Sequence, residues 1–259
     1  MLTEDEQIDI VKKNGIDIRF IDKPTKKVQL AAVNQDGYAI YYISNASEEV
    51  QLAAVKQNGY TIKYIENPSE KVKLAAVKQD GYVIEYISDP SEEMKLIAVK
   101  HYGSVIQYIK QASKDVQLAA VKNDEFAIGY IKDPSEDVKL AAVKHYGESI
   151  IFIKCASEKV KLAAVKQNGF AIKSIISCAS EEMKLAAVKQ NGKVIEVIKF
   201  ASKEVQLASL WTFEARKYVT YGLELPTIHY KWIHDNTNKY LEKNLKNRTK
   251  KYSDINYFF

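Results

Sequence analysis

The sequence predicts an all-α fold: a right-curving α-solenoid of about nine 22-residue helix-turn-helix repeats with a C-terminal helical cap. Three observations predict it. First, a Ser or Thr recurs every 22 residues at Thr3, Thr25, Ser47, Ser69, Ser91, Ser113, Ser135 and Ser157, then after one inserted residue at Ser180 and Ser202. Second, a glycine stands twelve residues after that position: Gly15, Gly37, Gly59, Gly81, Gly103, Gly147, Gly169 and Gly192, with Glu125 the one departure. Third, isoleucine holds positions fifteen and eighteen of every repeat, from Ile18 and Ile21 to Ile195 and Ile198. Nine repeats and a tenth half-repeat thus fill residues 1–210 as one solenoid domain, and 211–259 form a second region of capping helices and a basic aromatic tail.

Each repeat opens with the Ser/Thr as an N-cap, whose oxygen accepts from the free N–H groups of the first turn. Glu or Asp follows within two residues in most repeats, which suits the positive end of a helix. The residue before the cap is Pro24, Pro68, Pro90 or Pro134, or else alanine, so the preceding helix has already ended. The glycine at position twelve reads as the left-handed C-cap of the first helix. A short second helix follows, as in Tyr60-Thr61-Ile62-Lys63-Tyr64-Ile65. Tyr60, Ile62 and Tyr64 also alternate as in a strand, but the Ile62/Ile65 spacing of three breaks that alternation and favours helix.

In the first helix, Val50, Ala53 and Ala54 form one apolar sector, and Leu52 and Val55 another. A helix buried on two separated sides is sandwiched between neighbours, which stacked repeats supply and one unit cannot. The first repeat replaces the sector that would face a preceding unit with Glu6 and Asp9 and keeps Ile8 and Val11 apolar, as an N-terminal cap should. At the other end Val205, Leu207 and Leu210 continue the pattern, and a helix is expected from about Lys203 to Tyr221, ending at Gly222. Thr227, after Pro226, can cap another helix carrying Ile228, Trp232 and Ile233.

The segment Val50-Gln51-Leu52-Ala53-Ala54-Val55-Lys56-Gln57-Asn58-Gly59-Tyr60, rewritten at Val72–Tyr82 and Val160–Phe170, resembles the domain-of-unknown-function family numbered 4116. The resemblance implies an all-helical repeat protein of a kind common in giant DNA viruses of amoebae. It implies no activity and carries no catalytic motif.

Candidate binding residues come from columns of the repeat. Lys12, Lys56, Lys78, Lys100, Lys122, Lys144, Lys166 and Lys189 follow the core valine, with Asn34 the exception. Stacked, they make a basic ladder: either a track for an acidic protein or nucleic acid, or a solvated face offset by first-turn carboxylates such as Glu48 and Glu49. Tyr42, Tyr64, Tyr86, Tyr108 and Tyr130 form an aromatic column, expected to pack with hydroxyls at the surface rather than to stack bases. His101 and His145 vary an ordinary Gln site. His229 and His234 are off the i,i+4 spacing of a helical zinc pair. Cys155 and Cys178 are expected as small, part-buried residues between helices, too far apart for a disulfide. No metal, cofactor or catalytic residue is expected.

The tail is basic at Lys239, Lys243, Lys246, Arg248, Lys250 and Lys251 against Glu242. Tyr240 and Leu245 have a spacing similar to that in partners of the messenger-RNA cap-binding initiation factor, although Lys246 stands where those have an apolar residue. The chain's net charge of +5 sits mostly here: residues 211–259 carry nine Lys and Arg against five Asp and Glu. The expected function is a non-enzymatic scaffold of a giant DNA virus for protein–protein interaction, intracellular in the host cytoplasm or in the virion. The alternative is RNA binding or translation-initiation scaffolding through the tail. No apolar run reaches the roughly 18 residues of a membrane span, so neither membrane nor metal is an expected partner.

Overall fold

A computed structural model of the protein describes residues 2–210. Among the described residues there are ten α-helices and no strand. The α-helices are α1 Glu4–Lys13, α2 Lys26–Gln35, α3 Glu48–Gln57, α4 Glu70–Gln79, α5 Glu92–His101, α6 Lys114–Asn123, α7 Glu136–His145, α8 Glu158–Gln167, α9 Glu181–Gln190 and α10 Lys203–Leu210. The second helix of each repeat is a 3-10 helix, such as Gly59–Tyr64, whose tighter turn suits so short a segment. The expected capping helices beyond Leu210 lie outside the described residues.

The chain divides into two compact units, Met1–Ala142 and Val143–Phe259. In the first, α1 to α6 stack in chain order, each on the next, and each of α2 to α6 also packs on the 3-10 helix of the preceding repeat. In the second, α8, α9 and α10 stack in the same way. The repeat is therefore a unit of two layers, α-helices on one side and 3-10 helices on the other, with stacked neighbours as expected of a solenoid.

The core comes from fixed positions of the repeat. In α3, Val50, Ala54 and Val55 are fully buried, and Ile62 joins them from the 3-10 helix. The alternation of small and branched side chains lets neighbouring helices approach closely. Leu52 and Ala53 are only half-buried. The two-sided burial expected of the first helix is thus incomplete: Val55 turns inward, while Leu52 stays at the surface. In the first repeat Glu6 and Asp9 are exposed and Val11 is fully buried, so this end presents a polar face. Glu6 closes a capping box, accepting the Thr3 N–H at 2.8 Å.

The Ser/Thr caps behave as expected at most repeats: Ser113 Oγ accepts from Val116 N–H at 3.2 Å, and Ser69, Ser157 and Ser202 make the same bond. The glycine at position twelve does not behave as expected. Gly15, Gly37, Gly59, Gly81, Gly103, Gly147 and Gly169 all lack the left-handed φ. The helix ends instead on the preceding Asn or Asp in extended conformation, with Asn58 at φ −152°. Its backbone N–H closes the last turn onto Ala54 O at 2.9 Å. Its Oδ1 accepts from Tyr60 N–H at 3.0 Å, so it also caps the 3-10 helix.

Glycine is needed for close approach. A Cβ on Gly59 would stand 2.9 Å from the Ala76 carbonyl oxygen and 2.6 Å from Gln79 Oε1, both on the next helix. The Gly59 N–H donates to that same Gln79 Oε1 at 2.8 Å. The link recurs from Gly15 to Gln35, Gly37 to Gln57, Gly103 to Asn123, Gly147 to Gln167 and Gly169 to Gln190. At Glu125, where glycine is absent, the 3-10 helix is cut to Ala127–Tyr130.

The left-handed residues fall elsewhere, two before the caps: Lys23, Asn45, Asn67, Asp89, Gln111, Asp133, Cys155 and Phe200. Four are Asn or Asp, the non-glycine types that adopt this conformation most readily. The inserted residue between Ser157 and Ser180 is absorbed at this point. There an extra 3-10 turn, Ile176–Cys178, replaces the left-handed residue.

Two substitutions test the junction. Gly59→Ala should lower stability by about 1–3 kcal/mol through forced separation of α4 from the preceding 3-10 helix. His101 stands at the Gln position and makes no such bond to Gly81, so His101→Gln should raise stability by about 1 kcal/mol. Denaturant midpoints by circular dichroism check both; unchanged midpoints would refute the junction's role.

Candidate interaction surfaces

Two surfaces carry the candidate residues, one on each layer. On the α layer, Lys56, Lys78, Lys100, Lys122, Lys144 and Lys166 are all exposed, as are Lys12 and Lys189. Each sits in the last turn of its helix, where a cation also complements the negative end of the helix dipole. The first-turn carboxylates do not offset them in the expected way. Glu49 pairs with Lys26, and Glu48 with Lys71 at 3.5 Å. Of the ladder, Lys78 alone among the described residues has a carboxylate within reach, Glu93 at 3.8 Å.

Sequence reasoning missed a second lysine column, at position four of the repeat. Lys73, Lys161 and Lys184 reach back one turn to Glu70, Glu158 and Glu181, at 2.8, 2.9 and 2.8 Å. These lysines are largely covered, with 17–20% of the side chain exposed. Where position four is Gln, its amide instead donates to the carbonyl before the cap, as Gln51 does to Ala46 O at 2.9 Å. The strict alternatives Gln and Lys at this position were the available signal: both are long donors that can tie down the turn.

Between α2 and α3 the α layer opens a groove of about 530 Å³ lined by Leu30, Asn34, Glu49, Leu52, Ala53, Lys56 and Gln57. The half-buried leucines and the lysine ladder therefore share one face.

On the 3-10 layer of the first unit, Tyr42, Tyr64, Tyr86, Tyr108 and Tyr130 are 37–49% exposed. Two of them, Tyr64 and Tyr86, meet rings of the preceding repeat edge to face. Tyr64 lies 6.0 Å from Tyr38 and 5.1 Å from Tyr41, and Tyr60 lies 6.2 Å from Tyr86 between ring centres. At Tyr64 and Tyr86 the column packs along the stack as expected, and all five tyrosines leave an aromatic ridge at the surface. Burial pushes the Tyr60 hydroxyl's pKa up. Lys63 lies 4.8 Å above the Tyr64 ring, and its interaction with Tyr64 raises its pKa.

His101 and His145 end α5 and α7 at the Gln position, as expected. Cys155 and Cys178 are exposed, not part-buried. They occupy the connection before each cap, where the backbone turns outward, and Cys155 has φ 50°. Among the described residues, no group of three or more His, Cys, Asp or Glu is arranged to hold a metal ion, and no helix is long and apolar enough to cross a membrane. His229, His234, Tyr240, Leu245, Lys246, Arg248, Lys250 and Lys251 lie outside the described residues.

Stacked α/3-10 units with regular exposed columns define a helical-repeat protein. Residues 25–69, two repeats running from Thr25 to Ser69, match the model of a family described as Domain of unknown function (DUF4116). No curated protein and no solved structure matches the chain.

The caps also tie repeats together electrostatically. Thr25 Oγ1 donates to Glu4 Oε1 at 2.5 Å, and Ser113 to Glu92. Glu181 takes hydrogen bonds from Lys184 and from Ser202, the cap of the next repeat, and these hold its carboxyl below the usual range. A carboxyl whose folded pKa is lowered binds fewer protons than in the unfolded chain. Its stabilisation is complete above the unfolded value, about 4.3, and is lost as pH falls through the folded one. Glu181→Gln should therefore lower the thermal midpoint at neutral pH, with the gap to the parent closing below about pH 4. A gap constant from pH 7 to acid would contradict this.

Proposed function

We propose that this chain is a non-enzymatic scaffold that mediates protein–protein interaction along its repeats, in the host cytoplasm or the virion of a giant DNA virus. The observation that carries the reading is the regular surface: the same exposed columns recur on stacked units, on the α layer and on the 3-10 layer. Repeats of this kind gain their core from neighbours, which leaves their outward positions available for recognition. The exposed tyrosines support it, since large apolar side chains in contiguous rows mark contact surfaces.

The test is purification of the full chain, and of one lacking 239–259, from cells that produce it. A stoichiometric protein partner is expected with both. Recovery of none, together with a hydrolytic activity abolished by one point substitution, would overturn the scaffold reading.

A second reading is favoured by the charge excess of residues 211–259: nucleic-acid, chiefly RNA, binding through the tail. Binding that weakens steeply with salt and vanishes on deletion of 239–259 is its signature. A translation-initiation scaffold is a narrower form of the scaffold reading, in which Tyr240→Ala with Leu245→Ala abolishes recruitment of the cap-binding factor. RNA binding at background in both forms would exclude the tail reading.

A further inference from the structure

Leucine at position five of the repeat is apolar and only half-buried in α2 to α6, at Leu30, Leu52, Leu74, Leu96 and Leu118. One helical turn further on stands the lysine ladder, and the groove between α2 and α3 shows the two rows sharing its walls through Leu30, Leu52 and Lys56. The equivalent positions recur from α3 to α6 with the same burial. The face is thus an apolar row with a cationic flank.

The charges that face this row do not cancel. Glu49, on the opposite flank, is taken by Lys26, and Lys71 by Glu48. Glu93 lies 3.8 Å from Lys78. Among the described residues, Lys56, Lys100 and Lys122 have no carboxylate within 4 Å. Asp115 stands at the Glu49 position of α6, so across α3 to α6 Lys56, Lys71, Lys78, Lys100 and Lys122 face Glu49, Glu93 and Asp115, and the surplus is positive.

We propose that the first unit docks an extended acidic polypeptide segment along this row. Its apolar side chains would cover the leucines, and its carboxylates would meet Lys56, Lys78, Lys100 and Lys122. The proposal deepens the protein-interaction reading and rests on it. Charge complementarity sets the sign of the occupant. The leucine row sets its class, because a sugar–phosphate backbone has no apolar side chains to bury there. Spacing sets its conformation. Packed helices stand about 8–10 Å apart, and a polyproline-II segment has three residues per turn at about 3.1 Å each, near 9 Å per turn. A carboxylate at every third residue therefore meets one lysine per helix.

The experiment titrates the full chain into a fluorescently labelled peptide of Asp-Leu-Pro triplets, one triplet per helix, and into a scrambled peptide of the same composition. The ordered peptide should bind at least about tenfold more tightly, a difference of about 1.4 kcal/mol. Its binding should weaken between about 0.05 and 0.5 M salt. Lys56→Gln, Lys78→Gln, Lys100→Gln and Lys122→Gln together should cost about tenfold or more, with an unchanged circular dichroism spectrum, because exposed lysines are not structural here. Leu52→Ser with Leu74→Ser should weaken binding at every salt concentration. Equal binding of the scrambled peptide, or no loss in the lysine variant, would overturn the proposal. So would an oligouridine of matched charge binding these lysines more tightly. A cellular partner that cross-links only to the tyrosine ridge would overturn it too, while leaving the scaffold reading standing.

Discussion

Everything regular in this protein depends on one close contact, the approach of the glycine backbone at position twelve to the next α-helix. At Gly59 the space beyond Cα is filled by the Ala76 carbonyl and the Gln79 amide. The same Gln79 oxygen takes the glycine N–H, so the contact is a hydrogen bond as well as a steric limit. Wherever the glycine and its Gln or Asn partner are both present, the repeat is thereby joined to its successor at a fixed distance. The buried column of Val50, Ala54 and Val55 can then interdigitate with its neighbours without voids.

A second set of links works at the opposite end of the α-helix. There a Ser or Thr cap receives a first-turn N–H and gives its own proton to the carboxylate of the preceding repeat, as Thr25 does to Glu4. One hydroxyl so satisfies an orphan donor within its helix and a charged acceptor outside it. With the core positions and both ends of each helix committed to stacking, the positions left over are Leu52, Ala53 and Lys56 on one layer and the tyrosines on the other.

The helical-repeat architecture was legible because its period is written in residue types with single physical uses. Ser or Thr before Glu marks a helix start, and isoleucine at positions fifteen and eighteen marks a buried face. The polar Glu6 and Asp9 of the first repeat were legible as a cap for the same reason: a charged residue at a core position has no stacked neighbour to meet. The glycine was legible as a constraint but not as to its kind. Left-handed geometry and close approach both demand glycine, and only the position of the next helix separates them. The left-handed residues were only half marked: Asn45, Asn67, Asp89 and Asp133 are of types that favour that conformation, while Lys23, Gln111, Cys155 and Phe200 are not.

The candidate surface divides in the same way. That Lys56, Lys78, Lys100 and Lys122 fall on one exposed column followed from the period alone, since equivalent positions of a stacked repeat must align. That Glu49 is turned to Lys26, that a second lysine column folds back onto its own helix, and that Leu52 is left half-open beside Lys56 did not follow. The sequence by itself determined the unit, its two helices and its need for neighbours, because these rest on local propensity and on a buried face that one repeat cannot cover. The tertiary structure alone decided which apolar residues remain open and which charges remain unpaired. Those depend on how far apart adjacent repeats stand, a distance set by the glycine contact between them.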